Sequence, residues 1–271
     1  MDYLYWSPQY LGFRSISQRY WTDNTTHIAV PKSMVNLSGP LYSRKIGNSD
    51  FRQFLESREE TFNDIFNLTF GISGQELCAE ILHELCDIGT TKRLEPLGWN
   101  FGERLGAPWL SEVSQPDGYF WGEEFSIGVE LKFKARTSVD QIAKYLLAFS
   151  YDAISGAKGK SFYLLYVAPD PNKLFETLGF IGNKTIDEQY GLIQKEAKKS
   201  VVSRLQELRS TPQETLTRLR ILGITWLEFA NSLELVADRY QGDNVGDALV
   251  RRLLSGLRHE VLRHPDNGIP R

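Results

Sequence analysis

The sequence predicts an α/β protein, in which helices flank a central sheet. Three observations lead to this fold class. Residues 125–134 alternate strictly between apolar and polar side chains, as expected for a strand with one face against a core. Residues 161–167 form a continuous apolar run, which is typical of a strand buried on both faces. Between them, Ser138 to Gln141 has the sequence of a helix start, and an apolar stripe at helical spacing predicts a helix over 139–153.

The segment before these elements predicts one more helix and two more strands. Ser73 to Glu76 has a capping-box sequence, and the apolar stripe that follows predicts a helix over 74–86. Residues 94–101 and 116–121 are the expected first and second strands, the second because its aromatic run is bounded by Pro116 and Gly122.

The two ends of the chain differ from this middle part. Residues 1–60 are rich in aromatic side chains, and we expect an N-terminal extension whose aromatics pack in a small domain, contact another subunit or stack on bases. Residues 171–271 predict a mainly helical region that can pack on the 61–170 core as one domain. Helix-start sequences begin at Thr185 and Thr211, residues 223–229 predict a further strand, and a final helix is expected over 244–263.

Asp117 and Glu130 are expected to face each other across a hairpin. If the chain turns at Glu123 and Glu124, Asp117 lies opposite Glu130, and directly opposed side chains are about 4.5–5.5 Å apart at Cβ. A longer loop or a bulge at Gly128 would shift this register. Because opposed like charges destabilise a sheet, the pair predicts a cation that neutralises it.

The residues around this hairpin carry a recognisable motif. Pro116-Asp117-Gly118, followed by Glu130-Leu131-Lys132, resembles the PD-(D/E)-x-K motif of metal-dependent nucleases. Glu130 and Lys132 are two apart on a strand, so they share one face of it. A second match combines Pro169-Asp170 with 196–198. Its Glu196 and Lys198 lie in a polar run without alternation, which is typical of an exposed helix face.

The helix after the motif strand adds a second resemblance. Gln141 and Tyr145 are four apart and therefore neighbours on one helix face. They match the Q-x-x-x-Y motif of the RecB-like and Cas4-like branch of the superfamily, in which both residues lie near the active site and the bound strand. The alternative is that Gln141 only caps its helix and Tyr145 only packs.

The resemblance implies a fold, a reaction and a set of residues. The fold is a mixed central sheet of the restriction-endonuclease-like αβββαβ type with helical additions. The reaction is metal-assisted phosphodiester hydrolysis, with Asp117 and Glu130 holding Mg²⁺ or Mn²⁺, and Lys132 orienting the attacking water. Glu80 and the backbone carbonyl of Leu131 or Phe133 are further expected contacts of the metal. Gln141 is expected in catalysis, and the residues expected at the nucleic acid are Tyr145, Lys134, Arg136 and Lys144.

Composition limits the remaining possibilities. The net charge of −3 gives no global signature of nucleic-acid binding, so basic groups would have to be confined to a cleft. The longest apolar runs are too short to cross a membrane, and the four histidines and two cysteines lack zinc-ligand spacing. Cys78 and Cys86 are too far apart on one predicted helix to form a disulfide, which favours a reducing, cytoplasmic location.

Several alternatives remain open from the sequence. Glu130, Lys132 and Lys134 could be the solvated face of a surface strand. The chain could also be a non-catalytic module on the same fold that binds nucleic acid or a partner protein. A carboxylate enzyme such as a glycosidase fits poorly, because Lys132 would lower the pKa that a general acid needs raised. For the nuclease, DNA is favoured over RNA, and either a homo-oligomer or a partner protein that gates activity is conceivable.

Overall fold

The computed structural model describes residues 59–86, 88, 93–98, 101–114, 116–133, 137–156, 159–178, 184–264 and 266–270. Its centre is a five-stranded mixed sheet with the strand order β1-β2-β3-β4-β5. The strands are β1 (Glu95–Pro96), β2 (Gly118–Trp121), β3 (Phe125–Leu131), β4 (Ser161–Ala168) and β5 (Leu219–Thr225). The predicted α/β class is therefore confirmed.

Helices cover both faces of this sheet. In chain order they are α1 (Glu59–Cys86), α2 (Phe101–Arg104), α3 (Leu110–Val113), α4 (Val139–Ser155), α5 (Pro171–Leu178), α6 (Ile186–Glu196), α7 (Lys199–Glu207), α8 (Thr211–Arg218), α9 (Trp226–Ala237) and α10 (Val245–Arg263). One apolar core joins α1, α9 and α10 to one face, and a second core joins α4, α6, α7 and α8 to the other.

The middle strand, β3, connects the antiparallel part of the sheet to the parallel part. It pairs antiparallel with β2 and parallel with β4, which the chain reaches through α4. Its odd-numbered residues, including Ile127, Val129 and Leu131, belong to the first core. Glu130 faces the other way, toward α4, because successive side chains of a strand alternate between faces.

The predicted hairpin register is confirmed. Gly118 pairs with Val129, Tyr119 with Gly128, and Trp121 with Ser126, so the turn is centred on Glu123 and Glu124. Continuing this register by one residue brings Asp117 level with Glu130. The ladder is regular at Gly128, and no bulge shifts it there.

The predicted N-terminal helix is longer than expected. Gly74 has φ 75° and ψ 164°, which interrupts α1 near the predicted start, but helix also precedes it from Glu59. The Ser73 hydroxyl donates to the Thr69 carbonyl at 2.7 Å, so it bonds back to the first part of the helix and makes no capping bond to the Glu76 amide. Glu76 forms an exposed ion pair with Arg93 at 3.0 Å. The expected capping box is therefore wrong, although the break is real.

Two other boundaries differ from expectation. The first strand was expected over 94–101, but only Glu95 and Pro96 pair with β2, and helix α2 begins at Phe101. The strand expected over 223–229 ends at Thr225, where a capping box with Glu228 starts α9. The helix starts near Thr185 and Thr211 and the final helix are confirmed, and Glu196 and Lys198 are exposed as predicted.

The Thr225 capping box gives a direct test of this boundary. Replacing Thr225 with alanine removes the side-chain acceptor of the Glu228 amide. We expect the free energy of unfolding to fall by about 0.5–2 kcal/mol, measured by urea denaturation. Replacing the exposed Asn231 in the same helix with alanine is the control. An unchanged midpoint in Thr225→Ala would mean that the cap does not fix the start of α9.

Three further expectations concern the chain as a whole. Cys78 and Cys86 are buried, free thiols on α1, and burial raises the pKa of each thiol to about 12. Among the residues described, no helix combines the length and the apolar character that a membrane span needs. The aromatic extension at 1–60 lies outside the described residues except for Glu59 and Glu60.

Candidate active site

Glu130 is a buried carboxylate at the centre of a polar cluster. Only 2% of the residue is exposed, so the interpretation of this strand as a solvated surface is wrong. Its Oε1 atom accepts a hydrogen bond from Gln141 Nε2 and forms an ion pair with Lys132 Nζ. Its Oε2 atom lies 2.9 Å from the Tyr145 hydroxyl. A buried charge of this kind requires such partners, since desolvation of an unpaired carboxylate is costly.

Lys132 is fixed through its backbone as well as its side chain. The side chain is 13% exposed and shares one face of the strand with Glu130, as predicted. Its amide donates to the Val167 carbonyl at 2.8 Å, which extends the β3–β4 pairing. Its carbonyl accepts from Trp226 Nε1 at 3.0 Å, and this tryptophan stacks on Phe133. Hydrogen bonds from the neighbouring strand and from Trp226 therefore fix the backbone that carries the Lys132 ammonium.

Tyr145 lies flat against the middle strand. Its hydroxyl is 2.7 Å from the Val129 carbonyl and 2.9 Å from Glu130, and it donates its single proton to one of them. Burial raises the pKa of this phenol well above 10, and the charges of Glu130 and Asp117 add to the rise. Tyr145 therefore stays neutral and acts as a donor. The ring is buried, so its position favours support of Glu130 over the predicted contact with nucleic acid.

Gly128 makes this position of Tyr145 possible. A Cβ at residue 128 would lie 2.5 and 2.6 Å from two ring carbons of Tyr145 and 3.2 Å from Phe149. No side chain other than hydrogen leaves room for the ring at this distance. The glycine is thus required by the close approach of helix α4 to the strand.

Gln141 is oriented by the start of α4. The Ser138 side chain accepts from the Gln141 amide at 3.4 Å and caps the helix. The Gln141 side chain turns to Glu130, and its oxygen accepts from Thr137 at 3.2 Å. The same threonine contacts the hydroxyl of Tyr166, which lies beside Glu130 in the β3–β4 register. Gln141 therefore does more than cap its helix.

Asp117, which precedes β2, is hydrogen-bonded to strand β3 and to helix α1. Its Oδ2 atom accepts from the Leu131 amide at 2.8 Å, one residue from Glu130. Its Oδ1 atom accepts from Asn63 Nδ2 at 2.6 Å, and its backbone carbonyl accepts from Asn67 Nδ2 at 2.8 Å. The sequence interpretation missed both asparagines. The available signal was their spacing of four within an apolar periodicity.

A cavity of about 230 Å³ opens beside Glu130. Gln141 and Tyr145 line it together with Lys144, so three residues expected at the site or its nucleic acid share one space with Glu130. Lys144 forms an ion pair with Asp140 at 3.5 Å, and Asp140 also lines the cavity. The wall of the cavity therefore carries both positive and negative side chains.

The remaining predicted residues lie elsewhere or cannot be placed. Glu80 accepts a hydrogen bond from Tyr240 at 3.0 Å, which connects α1 to the segment before α10. That contact gives Glu80 a structural role, and the helix reaches Asp117 through Asn63 and Asn67 instead. Lys134 and Arg136 fall outside the described residues.

Comparison with known proteins adds no constraint. No family model, curated protein or solved structure matches the chain. The chemistry of the site is therefore argued from its own geometry.

The donor set is compatible with a hard divalent cation. Asp117 accepts from the amide of Leu131, the residue after Glu130, and both residues offer carboxylate oxygens. Mg²⁺ commonly uses only one or two protein carboxylates. Within the part of the chain that is described, Asn63 Oδ1 is buried without a hydrogen-bond partner beside Asp117. Over the same residues, no group of three or more His, Cys, Asp and Glu side chains converges, so the expected set including Glu80 does not form.

Proposed function

We propose that this protein is a metal-dependent nuclease that hydrolyses phosphodiester bonds, with DNA favoured over RNA. The observation that carries the proposal is the buried carboxylate of Glu130, which contacts Lys132, Gln141 and Tyr145. Asp117 binds the amide of Leu131, the residue that follows Glu130. These are the residues on which the PD-(D/E)-x-K and Q-x-x-x-Y resemblances rest.

The order of elements supports the same proposal. Apart from the short helices α2 and α3 between β1 and β2, the order of α1, β1 to β3, α4 and β4 is that of the αβββαβ arrangement of restriction-endonuclease-like proteins. Strand β5 and the helices around it extend this arrangement at the β4 edge. We therefore propose that the fold is of this type.

The chain's own residues have distinct roles in this scheme. Lys132 places a positive charge where negative charge develops on the phosphoryl oxygens, and it orients the attacking water. Gln141 and Tyr145 are neutral donors that keep Glu130 in one rotamer. Asp117 and Glu130 would hold Mg²⁺ or Mn²⁺. When bound, such a cation lowers the pKa of a coordinated water and stabilises charge on the leaving oxygen.

The cavity supports a role for Lys144 near the substrate backbone. Lys144 lies at its wall beside Gln141, and its side chain is 28% exposed. A local lysine can contact phosphate although the whole chain has a net charge of −3. Asp140 offsets this lysine in the absence of substrate, so the site would not attract anions indiscriminately.

A second candidate is a non-catalytic module that binds nucleic acid or a partner protein. The observation that favours it is the ion pair between Glu130 and Lys132 together with the absence, among the described residues, of a larger acidic cluster. In that case the cluster would only stabilise the middle strand. The two candidates differ in whether a divalent cation binds.

The first experiment is a cleavage assay on the full chain. Labelled single- and double-stranded DNA and RNA are incubated with Mg²⁺, Mn²⁺ or EDTA, using wild type, Lys132→Ala and Lys132→Met. The exposed Lys195, replaced by alanine, is the matched control. We expect cleavage that requires the cation, survives in Lys195→Ala and is lost in both Lys132 variants, with circular dichroism showing that they remain folded.

If no cleavage is seen, Mn²⁺ binding measured by calorimetry distinguishes the two candidate functions. No cleavage and no Mn²⁺ binding that depends on Asp117 and Glu130 would overturn the nuclease and favour the binding module. Mn²⁺ binding without cleavage would favour a nuclease whose activity needs a partner protein.

A further inference from the structure

We propose that Asn63 and Asn67 are positioning residues, which form a clasp on Asp117 and set its carboxylate for a divalent cation. The inference rests on the proposed function, because it concerns the same site. It assigns a role to the N-terminal part of α1, which contains no acidic or basic member of the predicted motif.

The first argument is how Asp117 is connected. It lies one residue before β2, so the strand itself does not fix its side chain. Each carboxylate oxygen has a donor: Asn63 Nδ2 on Oδ1 at 2.6 Å and the Leu131 amide on Oδ2 at 2.8 Å. With both donors present, the plane of the carboxylate is defined. Replacing Asn63 removes the amide donor on Oδ1 and leaves the Leu131 contact on Oδ2.

The second argument is that the clasp is rigid. Asn67 Nδ2 lies 2.8 Å from the Asp117 carbonyl and 2.9 Å from the Asn63 carbonyl, so it joins the backbone of both partners. The helix turn that carries the asparagines is anchored in the core by Phe62, Phe66 and Phe70. A Cβ on Gly118 would lie 3.0 Å from Phe66, which shows how closely the helix approaches this segment.

The third argument is the chemistry of the donors. Both side chains from α1 are neutral amides, so they orient Asp117 without cancelling its charge. Glu130 is paired with the ammonium of Lys132. A carboxylate that is oriented by amides keeps its attraction for a cation, and outer contacts of this kind typically change metal affinity by about 10–100-fold.

The test measures Mn²⁺ affinity by calorimetry on the full chain. Asn63→Leu keeps the approximate volume and removes the donor, and Asn63→Ser is a milder second variant if the first fails to fold. Thr69→Val is the matched control, because it removes a buried hydrogen bond at 2.8 Å on the same helix without touching Asp117. We expect the Asn63 variants to bind Mn²⁺ about 10–100-fold more weakly. Thr69→Val should bind like wild type, even where its melting temperature falls as much.

Cleavage at increasing Mn²⁺ adds a readout that a merely structural role would not change. If the clasp positions Asp117, saturating Mn²⁺ restores most of the rate in Asn63→Ser, and only the Mn²⁺ requirement rises. Wild-type Mn²⁺ affinity in the folded Asn63 variants would overturn the clasp and leave the nuclease standing. If the wild-type chain binds Mn²⁺ but cleaves nothing, weaker Mn²⁺ binding in the Asn63 variants would still support the clasp, and the nuclease would then need a partner protein. A wild-type chain that binds no Mn²⁺ would overturn both.

Discussion

Gly128→Ala is expected to reduce cleavage by about a hundredfold, although it alters no polar group of the site. The added methyl would lie 2.5 Å from the Tyr145 ring, so the ring or helix α4 must move away from the strand. The Tyr145 hydroxyl would then leave Glu130, to which it now lies at 2.9 Å. A displacement of about 1 Å at a catalytic group can cost about a hundredfold in rate.

The same substitution should also reduce stability. Overpacking a close-packed core typically costs about 1–3 kcal/mol, which urea denaturation would measure beside the cleavage rate. Gly191→Ala is the matched control, because that position in α6 is exposed and has open space around its Cβ. It should leave cleavage unchanged and raise stability by up to about 1 kcal/mol. Cleavage at the wild-type rate in Gly128→Ala would show that the position of Tyr145 does not matter to the site.

Asp152→Ala is expected to lower the free energy of unfolding by about 3–5 kcal/mol, the largest stability effect that the structure suggests. Asp152 is fully buried and accepts from Lys160 Nζ at 2.8 Å, from the Tyr119 hydroxyl at 2.9 Å and from Trp121 Nε1 at 3.1 Å. The Lys160 side chain has an exposed fraction of 0%. Removing the carboxylate leaves a buried ammonium without its counter-charge.

This loss should depend on pH in a defined direction. Burial lowers the pKa of Lys160 below 10.5, and Asp152 opposes that shift, so the pKa falls further in Asp152→Ala. Between the lowered pKa and 10.5, the folded state releases a proton that the unfolded chain retains, and stability therefore rises with pH. Urea denaturation at about pH 7 and about pH 9.5 should show the deficit shrinking at the higher pH.

A double substitution separates the pair from general damage to the core. Asp152→Ala combined with Lys160→Met should be more stable than Asp152→Ala alone, because the unpaired charge is gone. A deficit that grows with pH, or a double variant worse than the single one, would contradict this account of the buried pair.

Local pattern was sufficient for the hairpin and for the helix that follows it. The register of β2 and β3 follows from the turn at Glu123 and Glu124. The strict alternation of residues 125–134 supports it, because a shift of one residue would turn every apolar side chain of β3 to the wrong face. Ser138 marks the start of α4, and the helical repeat then places Gln141 and Tyr145 on the face toward Glu130.

Contacts between distant segments were beyond the reach of local pattern. Glu80 was a reasonable candidate for a metal ligand, but its carboxylate accepts a hydrogen bond from Tyr240, which is 160 residues away in the chain. Asn63 lies 54 residues before Asp117, and an amide in an apolar helix carries no sign of its partner. The boundary of β5 was missed for another reason: the apolar run continues past Thr225, and the capping box with Glu228 ends the strand.

The position of the candidate site on the middle strand ties the opening of the site to the opening of the whole fold. The Lys132 amide is bonded to Val167 on the neighbouring strand, and its carbonyl is held by Trp226, 94 residues later in the chain. Amide protons in such surroundings exchange with solvent only when most of the fold opens. The peptide that carries the ammonium therefore cannot fray by itself. A mild destabilisation anywhere in the molecule would lower the number of working sites while leaving each surviving site unaltered.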